Sequence, residues 1–354
     1  MFFLKKINRI YIICPYVKTG GPRSLHQLCN SLTKLGYDAG IVYGFKGVLL
    51  KKDRPLFSNF CGKVFTKIDD EPFNMVITSE SDTVWHLIFK NVKKVIWWLS
   101  LDYYYQQNLW FACNMWIKNK GRNRLLIPFL FAKKKLELLN SKQDRRYIRN
   151  KKEFDEVFHL YNCEYVRQFL LKKKVSKERM AYLCGPITFD DILDAKKVIY
   201  NKKDIVCYNP AKMNNKLFDE VKKSVLKKSA NIKFIKIEKM SHSKVAEYLL
   251  SSKLYVDFGF FPGPERMPRE AVLYFNNLIV SDKGSAHNEI DYPIPQSNKI
   301  NLSKKNIEFI SKTIVKNLSE YKTKWSQFKK FQNKVLNQKE IFDLNIINFL
   351  ENIK

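Results

Sequence analysis

Short apolar runs alternate with amphipathic stretches of helical period through the second half of this chain, and that alternation restricts the fold more than any other feature. Asp204–Tyr208, Lys233–Ile237, Leu254–Phe258 and Leu278–Ser281 read as strands, and Asn215–Ser229, Ser241–Ser252 and Pro268–Phe275 read as helices between them. Repeated βα units of this length imply a parallel sheet wound on both faces. Such sheets take ligands at the carboxyl ends of their strands.

The first half follows the same rule. A strand at Ile10–Cys14 leads through a loop, Pro15 to Gly21, into a helix opened by Pro22, with Leu25, Leu28, Leu32 and Leu35 at helical spacing and Gly36 placed to end it. Further strands read at Ala39–Tyr43, Met75–Thr78, Lys94–Leu99 and Glu156–Tyr161. Thr19, Gly20 and Gly21 bring bare backbone to a helix N-terminus, with Arg23 just beyond, which favours anions or hydroxyl oxygens; a plain tight turn uses the same residues. Pro186, Asp190, Asp191 and Asp194 interrupt the apolar pattern between Gly185 and Lys203. The expected division is a first domain over 1–190 carrying a basic insertion at about 105–152, a second domain over 191–320, and a helical tail over 321–354.

Composition supports two folded cores, since 45% of the 354 residues are hydrophobic. Seven scattered cysteines without a CxxC pair read as reduced core thiols. Met1–Lys6 is short of a signal h-region, and no later stretch reaches the roughly 18–20 uncharged residues that span a bilayer, so a cytoplasmic protein is expected. The formal charge of +30 draws anionic partners or reflects a general drift toward lysine. It is concentrated between Lys118 and Lys152, where thirteen Lys and Arg face only Glu137 and Asp144. Trp110, Phe111, Met115 and Trp116 precede this segment and Leu125–Phe131 lies inside it. That composition suits either a segment lying on the anionic inner face of a plasma membrane, over 110–152, or an internal helical hairpin with a solvated basic face.

The run Val256–Leu273 places two guanidiniums and two carboxylates after a strand and a Pro/Gly turn. Arg266 and Arg269 each offer a planar fork to phosphate, and Glu270 can accept bonds from a pair of sugar hydroxyls, so the segment suits a nucleotide sugar. Taken in order, the Gly-Gly loop, Val157–Tyr165, Cys207-Tyr208-Asn209-Pro210-Ala211-Lys212 and Pro262–Ala271 resemble a GT-B glycosyltransferase, over roughly residues 8–300. The likeness is to enzymes of bacterial surface-polysaccharide assembly, of the capsule, O-antigen or lipooligosaccharide type.

The resemblance implies an α/β protein of two Rossmann-like domains facing a cleft, with the acceptor, a glycan or lipid-linked molecule, held by the first and the nucleotide-sugar donor by the second. It assigns Asn209, Pro210 and Lys212 to the donor diphosphate and Glu270 to the nucleotide ribose. Where many retaining members carry an earlier glutamate this chain has Pro262, so Glu265 serves instead or the interaction is absent, and the anomeric outcome stays open.

Lys212, Arg266 and Arg269 are the cations expected to meet charge on a leaving diphosphate; as single residues in a basic chain they also read as solvated surface charges. Gly284, Ser285 and His287 follow the last strand and are placed on the donor side. For an inverting reaction the candidate base is Asp102, beside Tyr103, Tyr104 and Tyr105, whose rings suit either sugar stacking or core packing; Glu80 and Asp82 form a second acidic candidate. His26 and His159 read as structural. No metal-ligand spacing is present, so no cofactor and a metal-independent reaction are expected. Two other readings stand beside transfer: a nucleotide-sugar enzyme without transfer, such as an epimerase, and a basic nucleic-acid-binding module using Tyr103–Tyr105, although no nucleic-acid fold pattern is present.

Overall fold

A computed structural model of the chain describes residues 7–60, 62–119, 123–139, 141, 143–144, 146–187 and 195–353. The chain divides into two compact units, Met1–Gly185 with Ile341–Lys354, and Pro186–Glu340.

In the first unit the apolar runs form β1 (Arg9–Cys14), β2 (Ala39–Phe45), β3 (Val48–Leu49), β4 (Asn74–Ser79), β5 (Lys93–Trp98), β6 (Phe158–Tyr161) and β7 (Met180–Tyr182). They lie in the order β3-β2-β1-β4-β5-β6-β7. Only the short β2–β3 pairing is antiparallel. Successive side chains of a strand point to opposite faces, and β5 shows both faces covered. Val95 and Trp97 pack with Leu25, Leu28 and Leu32 of the helix Gly20–Lys34 and with Ile346 and Phe349 of the last helix. Ile96 and Trp98 pack with Tyr104, Phe154 and Phe169 on the other side.

The second unit is built from β8 (Lys203–Tyr208), β9 (Lys233–Lys236), β10 (Ser252–Asp257) and β11 (Asn277–Val280), all parallel, in the order β11-β10-β8-β9. Cys207, Tyr255 and Val280 pack on one face with Phe261, Ala271 and Phe331, while Val206, Val256 and Ile279 pack on the other with Phe218, Val221 and Ile314. In both sheets the strand order reverses beside the first strand, between β1 and β4 and between β8 and β10. Chains leaving those two ends diverge to opposite faces and leave a depression at the carboxyl edge.

The tail over 321–354 is helical, as expected. The boundary expected at 190, with Asp190, Asp191 and Asp194, lies outside the described residues. Within the tail Trp325, Phe328, Phe331 and Val335 are buried in the second unit, and Phe342, Ile346, Phe349 and Leu350 in the first. An amphipathic helix of this length gains stability by burying its apolar face, and the two halves bury theirs on different sheets. The basic insertion contains two helices, Leu109–Asn119 and Ile127–Leu139, joined by a small cluster of Cys113, Ile117 and Ile127 with Leu109, Leu130 and Phe131. No helix among the described residues is long and apolar enough to cross a membrane. Cys14, Cys29, Cys113, Cys163, Cys184 and Cys207 are all buried.

Because Phe349 is fully buried and its ring lies 5.5 Å from that of Phe158, Phe349→Ala removes contacts on which the first sheet depends. Urea titration should show a loss of about 3–5 kcal/mol; a change below 1 kcal/mol would mean the last helix is not part of this core.

Candidate functional site

The carboxyl edge of the second sheet is organised around Asp257, the last residue of β10. Its side chain is 3% exposed and accepts bonds from Asn209 Nδ2 at 2.9 Å, Gly259 N at 2.9 Å and Tyr255 Oη at 3.3 Å. Burial pushes its carboxyl up to about 6, while the bonds from Asn209 and Gly259 pull the other way. Asn209 Oδ1 in turn accepts the amide of Ala211 at 3.0 Å, and Asn215 Nδ2 donates to the Pro210 carbonyl at 3.1 Å. Asn209 and Pro210 therefore shape the loop after β8 and aim Lys212.

Lys212 sits at a φ of 62°, left-handed for a residue with a side chain, and its Nζ lies 3.1 Å from Glu265 Oε1. Gly259 allows the two loops to meet: a Cβ there would lie 3.0 Å from Asp257 Oδ1 and 3.2 Å from Lys212 Cβ. Gly284 and Ser285 serve the same loop from behind. Gly284 has a φ of 61° and a Cβ on it would fall 2.0 Å from the Phe261 carbonyl oxygen. Ser285 is buried and donates from its amide to Phe261 O at 2.8 Å and from its hydroxyl to Gly263 O at 2.7 Å. Both residues, expected on the donor side, brace the Pro/Gly loop from behind. His287 lies beyond them with Nδ1 2.8 Å from Asp282 Oδ1.

Arg266 and Glu270 stand one turn apart on the helix Arg266–Leu273, where side chains four residues apart meet. Arg266 Nε donates to Glu270 Oε1 at 2.5 Å, and Arg266 Nη2 lies 2.6 Å from His242 Nε2. His242 Nε2 is also 3.3 Å from Glu270 Oε1. Arg269 departs from its expected role. It is 8% exposed and donates to Gln338 Oε1 at 2.9 Å and to the Glu265 carbonyl at 3.4 Å, which makes it an internal brace of the helix start.

In the first unit, Thr19 precedes the helix Gly20–Lys34 and both are exposed at its start. A Cβ on Gly20 would meet nothing within 4 Å and one on Gly21 only Leu99 Cδ1 at 3.7 Å, so the turn does not need either glycine and the backbone borders open space. Arg23 lies over the ring of Phe60 at 5.2 Å. Asp102 is half-buried, in the first turn of the helix Leu101–Gln106. The three tyrosines divide: Tyr104 is core and donates to the Ile148 carbonyl, whereas Tyr103 is 54% exposed.

Glu80 is corrected as a proton acceptor for substrate. It is 1% exposed, its Oε2 accepts the Leu99 amide at 2.5 Å, and burial pushes its carboxyl up to about 8 against pulls from the Leu99 and Ser100 amides. It holds the turn that leads into Asp102. Asp82 is likewise enclosed, taking both the Lys46 amide and the Trp85 indole N–H at 2.7 Å. His26 bonds Pro22 and Tyr43, and His159 bonds Trp98 and Phe154, both within the core. No group of three His, Cys, Asp or Glu among the described residues could hold a metal ion.

No protein-family model matches the chain, and no curated protein matches its sequence. Solved structures do. The chain is similar to sucrose-phosphate synthase from Thermosynechococcus elongatus, with a TM-score of 0.57 and 11% identity over 96% of this chain and 98% of that one. HepE of Anabaena, in complex with UDP, matches at 0.53 and 11% identity over 97% and 99%. A variant of Staphylococcus aureus TarM, in complex with fondaparinux, α-GlcNAc-glycerol and UDP, matches at 0.53 and 13% identity over 80% of this chain and 56% of that one. This chain thus spans about half of the length of TarM. It has the fold of the GT-B glycosyltransferases.

Two residues at the carboxyl edge of the second sheet were not singled out from the sequence. Asp257 carried a signal, a carboxylate ending an apolar run two residues before a glycine. His242 carried a weaker one, directly after the Ser241 that caps the helix following β9. Pro262 is buried, and the nearest carboxylate in sequence, Glu265, is engaged with Lys212.

The raised carboxyl of Glu80 has a signed consequence. Between its unfolded range near 4.5 and about 8, the folded chain binds a proton that the unfolded chain has lost, so this group's contribution to stability falls as pH rises. Glu80→Gln removes the titration, and its stability relative to the parent should improve from pH 5 to pH 8 in urea unfolding. A constant difference would show that Glu80 does not titrate in that window.

Proposed function

We propose that this chain transfers a sugar from a nucleoside-diphosphate donor to a glycan or lipid-linked acceptor in bacterial surface-polysaccharide assembly, in the cytoplasm and without a metal ion. The observation that carries this reading is the convergence of Lys212, Glu265, Arg266, Glu270 and His242 at the carboxyl edge of β8, β9 and β10, where the strand order reverses. The GT-B fold and the UDP-bound complexes of HepE and TarM support a nucleotide ligand.

Cleavage between the anomeric carbon and the diphosphate places negative charge on the leaving group, and Lys212 and Arg266 are the cations positioned to meet it. Glu270, buried and oriented by Arg266, presents its second oxygen to the ribose hydroxyls. On the acceptor side Thr19, Gly20, Gly21, Arg23, Asp102 and Tyr103 supply open backbone, a half-buried carboxylate and an exposed ring. If configuration inverts, Asp102 takes the proton of the attacking hydroxyl, with Glu80 fixing its turn.

Calorimetric titration of the full chain with UDP, GDP, CDP and ADP should give saturable binding with one base preferred. Absence of saturable binding to all four would overturn the reading. Glu270→Gln should weaken the preferred nucleotide at least tenfold while the melting temperature stays within a few degrees of the parent. Once a donor is identified, Asp102→Asn should lower turnover roughly 10²–10⁴-fold with nucleotide affinity unchanged. A variant that loses affinity and keeps turnover would move Asp102 out of the role of base.

A further inference from the structure

The helix Ile127–Leu139 is apolar on two faces, and only one of them is used inside the fold. Ile127, Leu130 and Phe131 pack against Leu109, Cys113 and Ile117, and the Trp110 ring meets Phe131 edge-on at 5.4 Å. On the other face Leu125, Phe129, Leu136 and Leu139 are 76%, 75%, 65% and 74% exposed. Their spacings of four, seven and three residues place them on one stripe, extended at its start by the turn Arg124–Leu126. Trp110 and Trp116 of the neighbouring helix are half-exposed as well. A soluble surface seldom leaves so many large apolar side chains together in water.

The charges around the stripe identify what covers it. At 3.6 residues per turn Lys133 and Lys135 fall roughly 80° to either side of its centre, where long stems can lie along an apolar surface with the ammonium groups at its border. Lys134, farther round, is occupied with Glu137 at 2.7 Å. Across Lys118–Lys152 thirteen cationic residues face two anionic ones. A second copy of this chain would bring the same excess of positive charge to the contact and be repelled. A surface of anionic lipid satisfies both the stripe and its cationic borders.

We propose that the helices Leu109–Asn119 and Ile127–Leu139 dock in the plane of an anionic bilayer, with Phe129, Leu136 and Leu139 entering the headgroup boundary and Lys133 and Lys135 at lipid phosphates. The proposal goes beyond the transfer reading and does not need it, although a lipid-linked acceptor would be found on the same surface.

The test is sedimentation of the full chain with vesicles of phosphatidylcholine alone or with 40 mol% phosphatidylglycerol (about that fraction suffices for a strong surface potential). Binding is expected to the anionic vesicles only, and to weaken with salt. The triple substitution Phe129→Ser, Leu136→Ser and Leu139→Ser alters exposed positions and should leave the melting temperature unchanged while lowering vesicle affinity at least tenfold. Lys133→Glu with Lys135→Glu should lower it comparably and leave weak salt-independent binding. Equal binding by parent and triple variant, or no binding of the parent to anionic vesicles, overturns the proposal. So does concentration-dependent dimerisation of the parent that the triple variant abolishes, since the stripe would then be covered by a second copy.

Discussion

A buried carboxylate at the carboxyl end of a central strand holds the working edge of each sheet. Parallel strands end in loops whose first amides have left the ladder, and a buried amide without a partner costs about as much as a lost hydrogen bond. Asp257 after β10 and Glu80 after β4 supply acceptors for such amides, from Gly259 in one case and Leu99 in the other. Both carboxyls pay for this in desolvation and are shifted upward as a result. Their position beside the reversal of strand order follows from the same geometry, because that is where two loops part and leave no neighbouring strand to satisfy them.

What is presented outward depends on those anchors. Asp257 fixes Asn209, Asn209 fixes the turn through the Ala211 amide, and the turn carries Lys212 into the left-handed region, a conformation costing of order 1–3 kcal/mol for a residue with a side chain. Gly284 and Ser285 hold the opposing Pro/Gly loop through Phe261 and Gly263, so Glu265 and Arg266 arrive at a set distance from Lys212. The residues that meet a ligand are thus few, and the residues that place them are more numerous and mostly buried.

This division explains what the sequence disclosed. The α/β class, the strands and the helices were legible because apolar period reports burial directly, and Lys212, Arg266 and Glu270 stood out because charged residues in a loop at a sheet edge stand against the pattern. Arg269 was misjudged for the same reason: three residues from Arg266 it shares the turn, yet its Nη1 reaches Gln338, sixty-nine positions away, which no local pattern encodes. Glu80 shows the converse error. Its position after a strand suggested chemistry, but its burial depends on where β5 and the Leu99–Ser100 turn close over it. The split of the tail was hidden because two amphipathic helices look alike in sequence whichever sheet they cover.

The two cations at the donor edge are not equivalent, and burial of their partners decides how they differ. Lys212 and Glu265 are 48% and 29% exposed, so their attraction is screened and worth about 0–1 kcal/mol. Glu270 is only 6% exposed, and removing Arg266 from it would leave a carboxylate enclosed without its cation, which is far more costly. Arg266 therefore remains with Glu270. The geometry thus makes Lys212 the cation held by a screened, easily parted pair and Arg266 the cation fixed by an enclosed one.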